Sequence, residues 1–126
     1  MSLCLQRTKY KFNVLIVNDK SDYNYKDYIE KYNKYLNISE LTLKENVGRG
    51  LARQRGIEQT NSKYIMFIDA DDYLYSADVL EKIDSLIGDK TVDVVYMGSQ
   101  ISGNREELVI PTEETCTREY KAGGDI

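Results

Sequence analysis

Histidine is absent from the 126 residues, and that absence excludes more than any other feature of the composition. Without it there is no Ser-His or Cys-His relay and no His-ligated zinc. Acid–base chemistry falls to Asp, Glu, Lys or Tyr, and a metal would be held mainly by oxygen. Cysteine is scarce: Cys4 and Cys116 lie near opposite ends without metal-ligand spacing. They read as two unpaired thiols in a reducing compartment. No apolar run approaches the length of a membrane span, and no signal-peptide core stands near Met1. A basic surplus is missing too. The net charge of −4 argues against nucleic acid as a partner. What remains, 41% apolar and 30% charged, describes a globular chain of one domain with a real core.

The densest chemistry lies in residues 64–74, YIMFIDADDYL. A short apolar run, of strand length, releases three carboxylates within four positions: Asp69, Asp71 and Asp72. An unpaired carboxylate costs several kcal/mol to bury, so these belong where a strand leaves the core, in water or on a cation. A hard divalent cation takes oxygen ligands and leaves positions for substrate phosphates. An acidic turn with no such duty is the plain alternative.

Upstream, the β-branched run at residues 13–17 predicts a strand ending at the polar residues Asn18, Asp19, Lys20 and Ser21. Ser21 or Asp22 could cap a helix over about residues 24–36. Tyr25, Tyr28, Ile29, Tyr32, Tyr35 and Leu36 fall on one face of that helix, and a tyrosine stripe at this spacing reads as a packing face. Alternation over residues 40–44 predicts a second strand. Gly48 and Gly50 then open a helix over about residues 50–60, with Gly56 inside it. A glycine-rich entry onto a helix N-terminus can cradle phosphate, and Arg49, Arg53 and Arg55 add cationic forks. The stretch is neither a Walker loop nor a complete GxGxxG, and a glycine-eased turn before a solvated basic helix explains it equally. A helix over residues 77–87 ending near Gly88, a strand at 91–97 and a short strand at 108–110 complete the pattern.

The order β-α-β-α-β-α-β predicts an α/β fold, a mostly parallel sheet with helices on both faces. In such a sheet the exits at Asn18 and Asp19, at residues 46–50 and at residues 69–72 share one rim, where ligands bind.

These residues resemble the nucleotide-sugar half of glycosyltransferase family 2, the Rossmann-like GT-A fold. The family's V-D-D-G-S-like turn is matched by Val17, Asn18, Asp19, Lys20 and Ser21. Its N-x-G-x-x-x-A-R-N-x-G run is matched by Asn46, Gly48, Ala52, Arg53, Gln54 and Gly56, and its D-A-D-D by residues 69–72. Order and spacing agree over about residues 11–100. The resemblance implies inverting transfer of a sugar from a nucleotide-diphosphate donor, a UDP-sugar above all, to a saccharide or lipid-linked acceptor in cell-envelope polysaccharide synthesis. It implies that Asp19, with Asn18, contacts the base, that Arg53 lies near the nucleotide, and that Asp69 sits by the ribose or metal. Asp71 would be the main ligand of Mn²⁺ or Mg²⁺, with Asp69 and Asp72 beside it. It also implies a cytoplasmic location, with the inner membrane face a further option.

The match has gaps. Asn18 and Gln54 replace the family's usual Asp and Asn. Residues 2–11 resemble only the tail of an earlier family helix, through the pattern S-L-x-x-Q-x-x-K, and the strand before it belongs between those ending at Asp19 and Asp69. Residues 1–126 are therefore expected to be a single, incomplete GT-A domain. Its open edge would be met by closing of the sheet or by a strand from another copy. The acceptor half with the catalytic carboxylate is expected beyond residue 126, so no base is named. Two alternatives stand beside this reading. One is a non-catalytic nucleotide-binding module. The other is a haloacid dehalogenase-like phosphatase, in which Tyr73 would stand where Thr or Val is wanted.

Overall fold

The computed structural model describes residues 2–95, 97 and 98. The chain divides into two compact units, residues 1–80 and a second beginning at Glu81.

In the first unit, β1 (Asn13–Asn18) and β2 (Asn37–Thr42) form a parallel ladder in the register Asn13 to Asn37 through Asn18 to Thr42. The β-branched run 13–17 makes β1, as predicted. β2 starts three residues earlier than the alternation suggested. Its buried anchor is Ile38, and the polar neighbours Asn37 and Ser39 disguise the strand. The parallel pairing requires a crossover, which α1 (Lys26–Tyr32) supplies.

That helix is shorter than the tyrosine spacing indicated, and neither Ser21 nor Asp22 caps it. Tyr25 holds the N-cap position without a side-chain cap, while the Asn24 side chain accepts from the Lys26 amide at 3.0 Å. The stripe nevertheless packs. Tyr28 and Tyr32 tilt against each other at 4.7 Å between ring centroids, and burial raises the pKa of the Tyr28 hydroxyl, helped by Tyr32. Leu36 is buried just beyond, whereas Tyr35 stays in solvent.

α2 (Gly48–Glu58) follows the second strand and lies against β1. Gly56 makes that approach possible: a Cβ there would stand 3.0 Å from the Val17 Cγ2 methyl. Ala52, one turn earlier, is buried.

Residues 64–68 form no ladder among the described residues, although the apolar run predicted a strand. Tyr64, Ile65 and Phe67 are 40–47% exposed. A strand is stable only when its backbone groups find partners, and here β1 pairs only with β2 among the described residues. The N-terminal segment is a 3-10 turn, Ser2–Leu5, rather than the tail of an α-helix. It is stitched to the segment after the acidic turn. The Gln6 amide donates to the Ser76 carbonyl at 2.7 Å and accepts from the Leu80 amide at 3.2 Å, while Ser2 Oγ accepts from the Leu74 amide at 3.0 Å.

α3 (Val79–Ile87) carries the chain into the second unit. It ends as predicted: Gly88 takes a φ of 48° and its amide donates to the Asp84 carbonyl at 2.8 Å. Residues 91–95 form no ladder among the described residues, so the strand expected at 91–97 is not found there. The strand expected at 108–110, and Cys116, lie outside the described residues. Cys4 is a free thiol.

Candidate functional site

The turn after β1 is the most densely bonded part of the site. Asn18, at its head, is 5% exposed, the one buried polar residue described. Its Oδ1 accepts from both the amide and the hydroxyl of Ser21, at 2.8 and 2.9 Å, closing the turn. Lys20 in the middle takes a φ of 61°, a left-handed conformation that suits glycine and strains a lysine.

Asp19 reaches across to the start of α2. Its Oδ1 accepts from the Val47 amide and its Oδ2 from the Gly48 amide, both at 2.8 Å. The Asn46 side chain returns a bond to the Asp19 carbonyl at 3.1 Å. An acidic side chain on the first amides of a helix satisfies donors the helix cannot, and it complements the helix dipole. Gly48 permits the geometry through a φ of 81°. The glycine-rich entry therefore does hold an anion, but the anion is the protein's own carboxylate. Gly50 has neither a positive φ nor a close neighbour, so its glycine is not demanded by the turn.

Arg53 lies about 7.5 Å further along the same helix. Its Nη2 donates to Asp69 Oδ1 at 2.6 Å, and its guanidinium stands 5.7 Å from the Phe67 ring centre. One helix thus holds the β1 turn at its N-terminus and the acidic turn on its flank. Of the other arginines, Arg55 pairs with Glu58 at 2.8 Å. Arg49 is exposed, with no partner among the described residues.

The acidic turn closes through the Asp72 amide, which donates to the Asp69 carbonyl at 3.0 Å. Asp71 and Asp72 are exposed. Among the described residues no three carboxylate or thiolate side chains converge as a ready-made metal cage. A cavity of about 250 Å³ lined by Leu43, Lys44, Glu45, Val47 and Arg55 contains none of the predicted site residues, and it is small for a ligand pocket.

Sequence reasoning paired Asp19 with a ligand and missed its bonds to residues 47 and 48. The spacing of almost thirty positions carries no local signal. It also missed Glu40, whose Oε1 accepts from Asn18 Nδ2 at 3.0 Å. In the alternation over residues 40–44 Glu40 falls on the polar positions with Thr42 and Lys44, so no local signal singled it out.

With this geometry in place, the comparison with known families is decisive: the model for Glycosyl transferase family 2 matches residues 1–122. The chain belongs to that family. Its α/β fold is accordingly GT-A, of which the β1–β2 pair and α2 form the part described above. Among curated relatives, the teichoic acid poly(glycerol phosphate) polymerase of Staphylococcus epidermidis is 39% identical over 69% of this chain and 13% of its own length. EpsH of Bacillus subtilis, provisionally named a glycosyltransferase, is 35% identical over 68% of this chain and 24% of its own. The poly(ribitol-phosphate) beta-N-acetylglucosaminyltransferase TarS of Staphylococcus aureus is 30% identical over 71% and 16%. The family 2 chain thus spans at most a quarter of the length of these relatives. No solved structure matches. No helix among the described residues is long and apolar enough to cross a membrane.

Proposed function

We propose that this family 2 chain binds a nucleotide-diphosphate sugar, a UDP-sugar above all, for inverting transfer to an acceptor hydroxyl. The observation that supports it is the double attachment of α2, which brings Asp19 and the Arg53–Asp69 pair to one helix. Each Asp19 oxygen spends one lone pair on a backbone amide. The remaining lone pairs can accept from the N–H edge of a base such as uracil, with Asn18 shaping the turn behind it. Arg53 offers a planar cationic fork to phosphate, and Asp69, released from it, would face the ribose or a metal.

The donors present suit a hard cation, since such ions take one or two carboxylates together with substrate phosphates rather than a complete protein cage. Asp71 would be the main ligand, with Asp69 and Asp72 beside it. When bound, Mn²⁺ or Mg²⁺ would hold the diphosphate and offset the charge growing on the leaving group.

The names of the polymerase and of TarS support a cell-envelope polymer, saccharide or lipid-linked, as acceptor. Such work belongs in the cytoplasm, with the inner membrane face as a candidate surface. The edge of β1 away from β2 supports a second copy as the partner that completes the sheet. Sedimentation as a monomer at micromolar concentration would remove that part of the proposal.

A second reading, a binding or assembly module without turnover, has its own support. Asp19 is bonded to the amides of residues 47 and 48, and Arg53 and Asp69 pair with each other, so these side chains already serve to hold the fold. Calorimetric titration with UDP in the presence and absence of Mn²⁺, paired with an assay of donor hydrolysis, separates the two. Metal-dependent binding with turnover supports the transferase, and binding without turnover supports the module. Absence of UDP binding both with and without Mn²⁺ overturns both.

A further inference from the structure

We infer that Glu40 is a positioning residue for the nucleotide side of the site: its carboxylate fixes the Asn18 amide in the orientation that holds the turn carrying Asp19. The inference rests on the proposed nucleotide-binding role of that turn.

Asn18 has two neighbours with opposite demands. The Ser21 backbone amide, 2.8 Å away, can only donate, so it must meet the Asn18 oxygen. The Glu40 carboxylate, 3.0 Å away, can only accept when ionised, so it must meet the Asn18 nitrogen. A side chain that is oxygen on one side and N–H on the other answers both. The strand register supports this placement. Glu40 stands opposite Ile16 and Thr42 opposite Asn18, and the Thr42 hydroxyl donates to the same Glu40 oxygen at 2.9 Å. The backbone carbonyl of Asn18 is held as well, by the Leu43 amide at 2.9 Å. With Asn18 only 5% exposed, water has little access to replace any of these partners.

The network also bears on why an amide rather than a carboxylate stands at position 18. An aspartate here would set two carboxylates within hydrogen-bond distance in a half-buried place, which is unfavourable. The amide at 18 and the acid at 40 form a matched pair. The pair also has a mirror image: Asp at 18 with Gln at 40 keeps an acceptor toward Ser21 and restores a donor between the strands.

The test uses the whole chain, with UDP and Mn²⁺ as the probe. Affinity and melting midpoint are measured for Asn18→Asp, Glu40→Gln, the double variant, Glu40→Leu, and Asn13→Ala as control. Asn13 accepts from Asn37 at the far end of the same ladder. Glu40→Gln, which can still accept from Asn18, should bind within about threefold of the parent. Asn18→Asp and Glu40→Leu should bind about tenfold or more weakly, and the double variant should return to within about threefold. Asn13→Ala should lower the midpoint without changing affinity, separating positioning from mere loss of stability. If Asn18→Asp binds like the parent, or the double variant binds no better than Asn18→Asp, the inference is overturned. If the parent itself binds no UDP, the nucleotide reading and the role built on it fall together, while the order of midpoints still decides whether residues 18 and 40 are a matched pair.

Discussion

The turn at residues 18–21 and the turn at residues 69–72 differ in how their side chains are spoken for. The first begins on a paired strand and buries Asn18 to 5% exposure, and side-chain bonds from Asn18, Asp19 and Glu40 shape it. The second follows an apolar run without a ladder. It leaves the Asp69 side chain 40% exposed and is tied to the helix by a single ion pair with Arg53. One turn is fixed by several side-chain bonds, and the other is held more loosely. Placed acceptors suit recognition of a base, whereas loosely held carboxylates suit a cation and diphosphate that complete their own coordination.

The largest expected effect comes from removing the helix that both turns share. Gly56→Leu drives a side chain into Val17, whose methyl already stands 3.0 Å from the position of a Cβ. Overpacking of this kind costs about 1–3 kcal/mol, and denaturant unfolding should place this variant at the upper end. UDP binding should fall in parallel, because Asp19 and Arg53 both lose their common support. Unchanged unfolding would mean that α2 does not bear on β1 as described.

Breaking the turns one at a time sharpens the contrast. Asp19→Ala removes a side chain that caps α2 through two amides, and should cost about 1–2 kcal/mol of stability together with UDP affinity. Asp71→Ala touches an exposed side chain, and should change stability by less than about 0.5 kcal/mol. Even so, it should abolish the Mn²⁺-dependent part of UDP binding. Equal stability losses for the two variants would erase the distinction between a built turn and a loosely held one. Loss of metal dependence without loss of fold at Asp71 would establish it.

A smaller gain is expected inside the first turn. Lys20 sits at a φ of 61°, a conformation costing an L-residue about 1–2 kcal/mol. Part of that relief is offset by the greater freedom of glycine in the unfolded chain. Lys20→Gly should therefore stabilise by about 0.5 kcal/mol, read from the urea midpoint at constant slope. Destabilisation would show that the lysine side chain supplies a contact outweighing its backbone strain.

What the sequence disclosed, and what it hid, follows from the range of the forces involved. β1 was legible because Val14, Leu15, Ile16 and Val17 form a continuous run needing no distant information. The stop at Gly88 and the opening of α2 at Gly48 were legible because each depends on one residue's backbone freedom. β2 was displaced in the reading because Asn37 and Ser39 interrupt its apolar pattern, and only the register against β1 fixes its start. Residues 64–68 carry strand composition, but pairing is a property of two segments and composition describes one. The predicted site residues Asp19, Arg53 and Asp69 are all attached to α2. The bonds that attach them could not be read, since each joins positions 16 or more apart.

The smallest expected effect lies on the far side of α2, where Arg55 and Glu58 pair in solvent. The hydrogen bond from Arg55, with a second from Gln54, holds the Glu58 carboxyl below its ordinary pKa. A carboxyl depressed in the folded chain contributes stability above its unfolded pKa and loses it as pH falls through the folded value. Both groups are exposed to water, so the contribution should be too slight to move the melting midpoint at neutral pH. An NMR titration of the Glu58 carboxyl can still detect the coupling. Arg55→Gln should raise its midpoint toward that of an ordinary glutamate while leaving UDP binding unchanged. An altered UDP affinity would bring this flank of α2 into the site, and an unmoved midpoint would show that the 2.8 Å pair has no weight in solution.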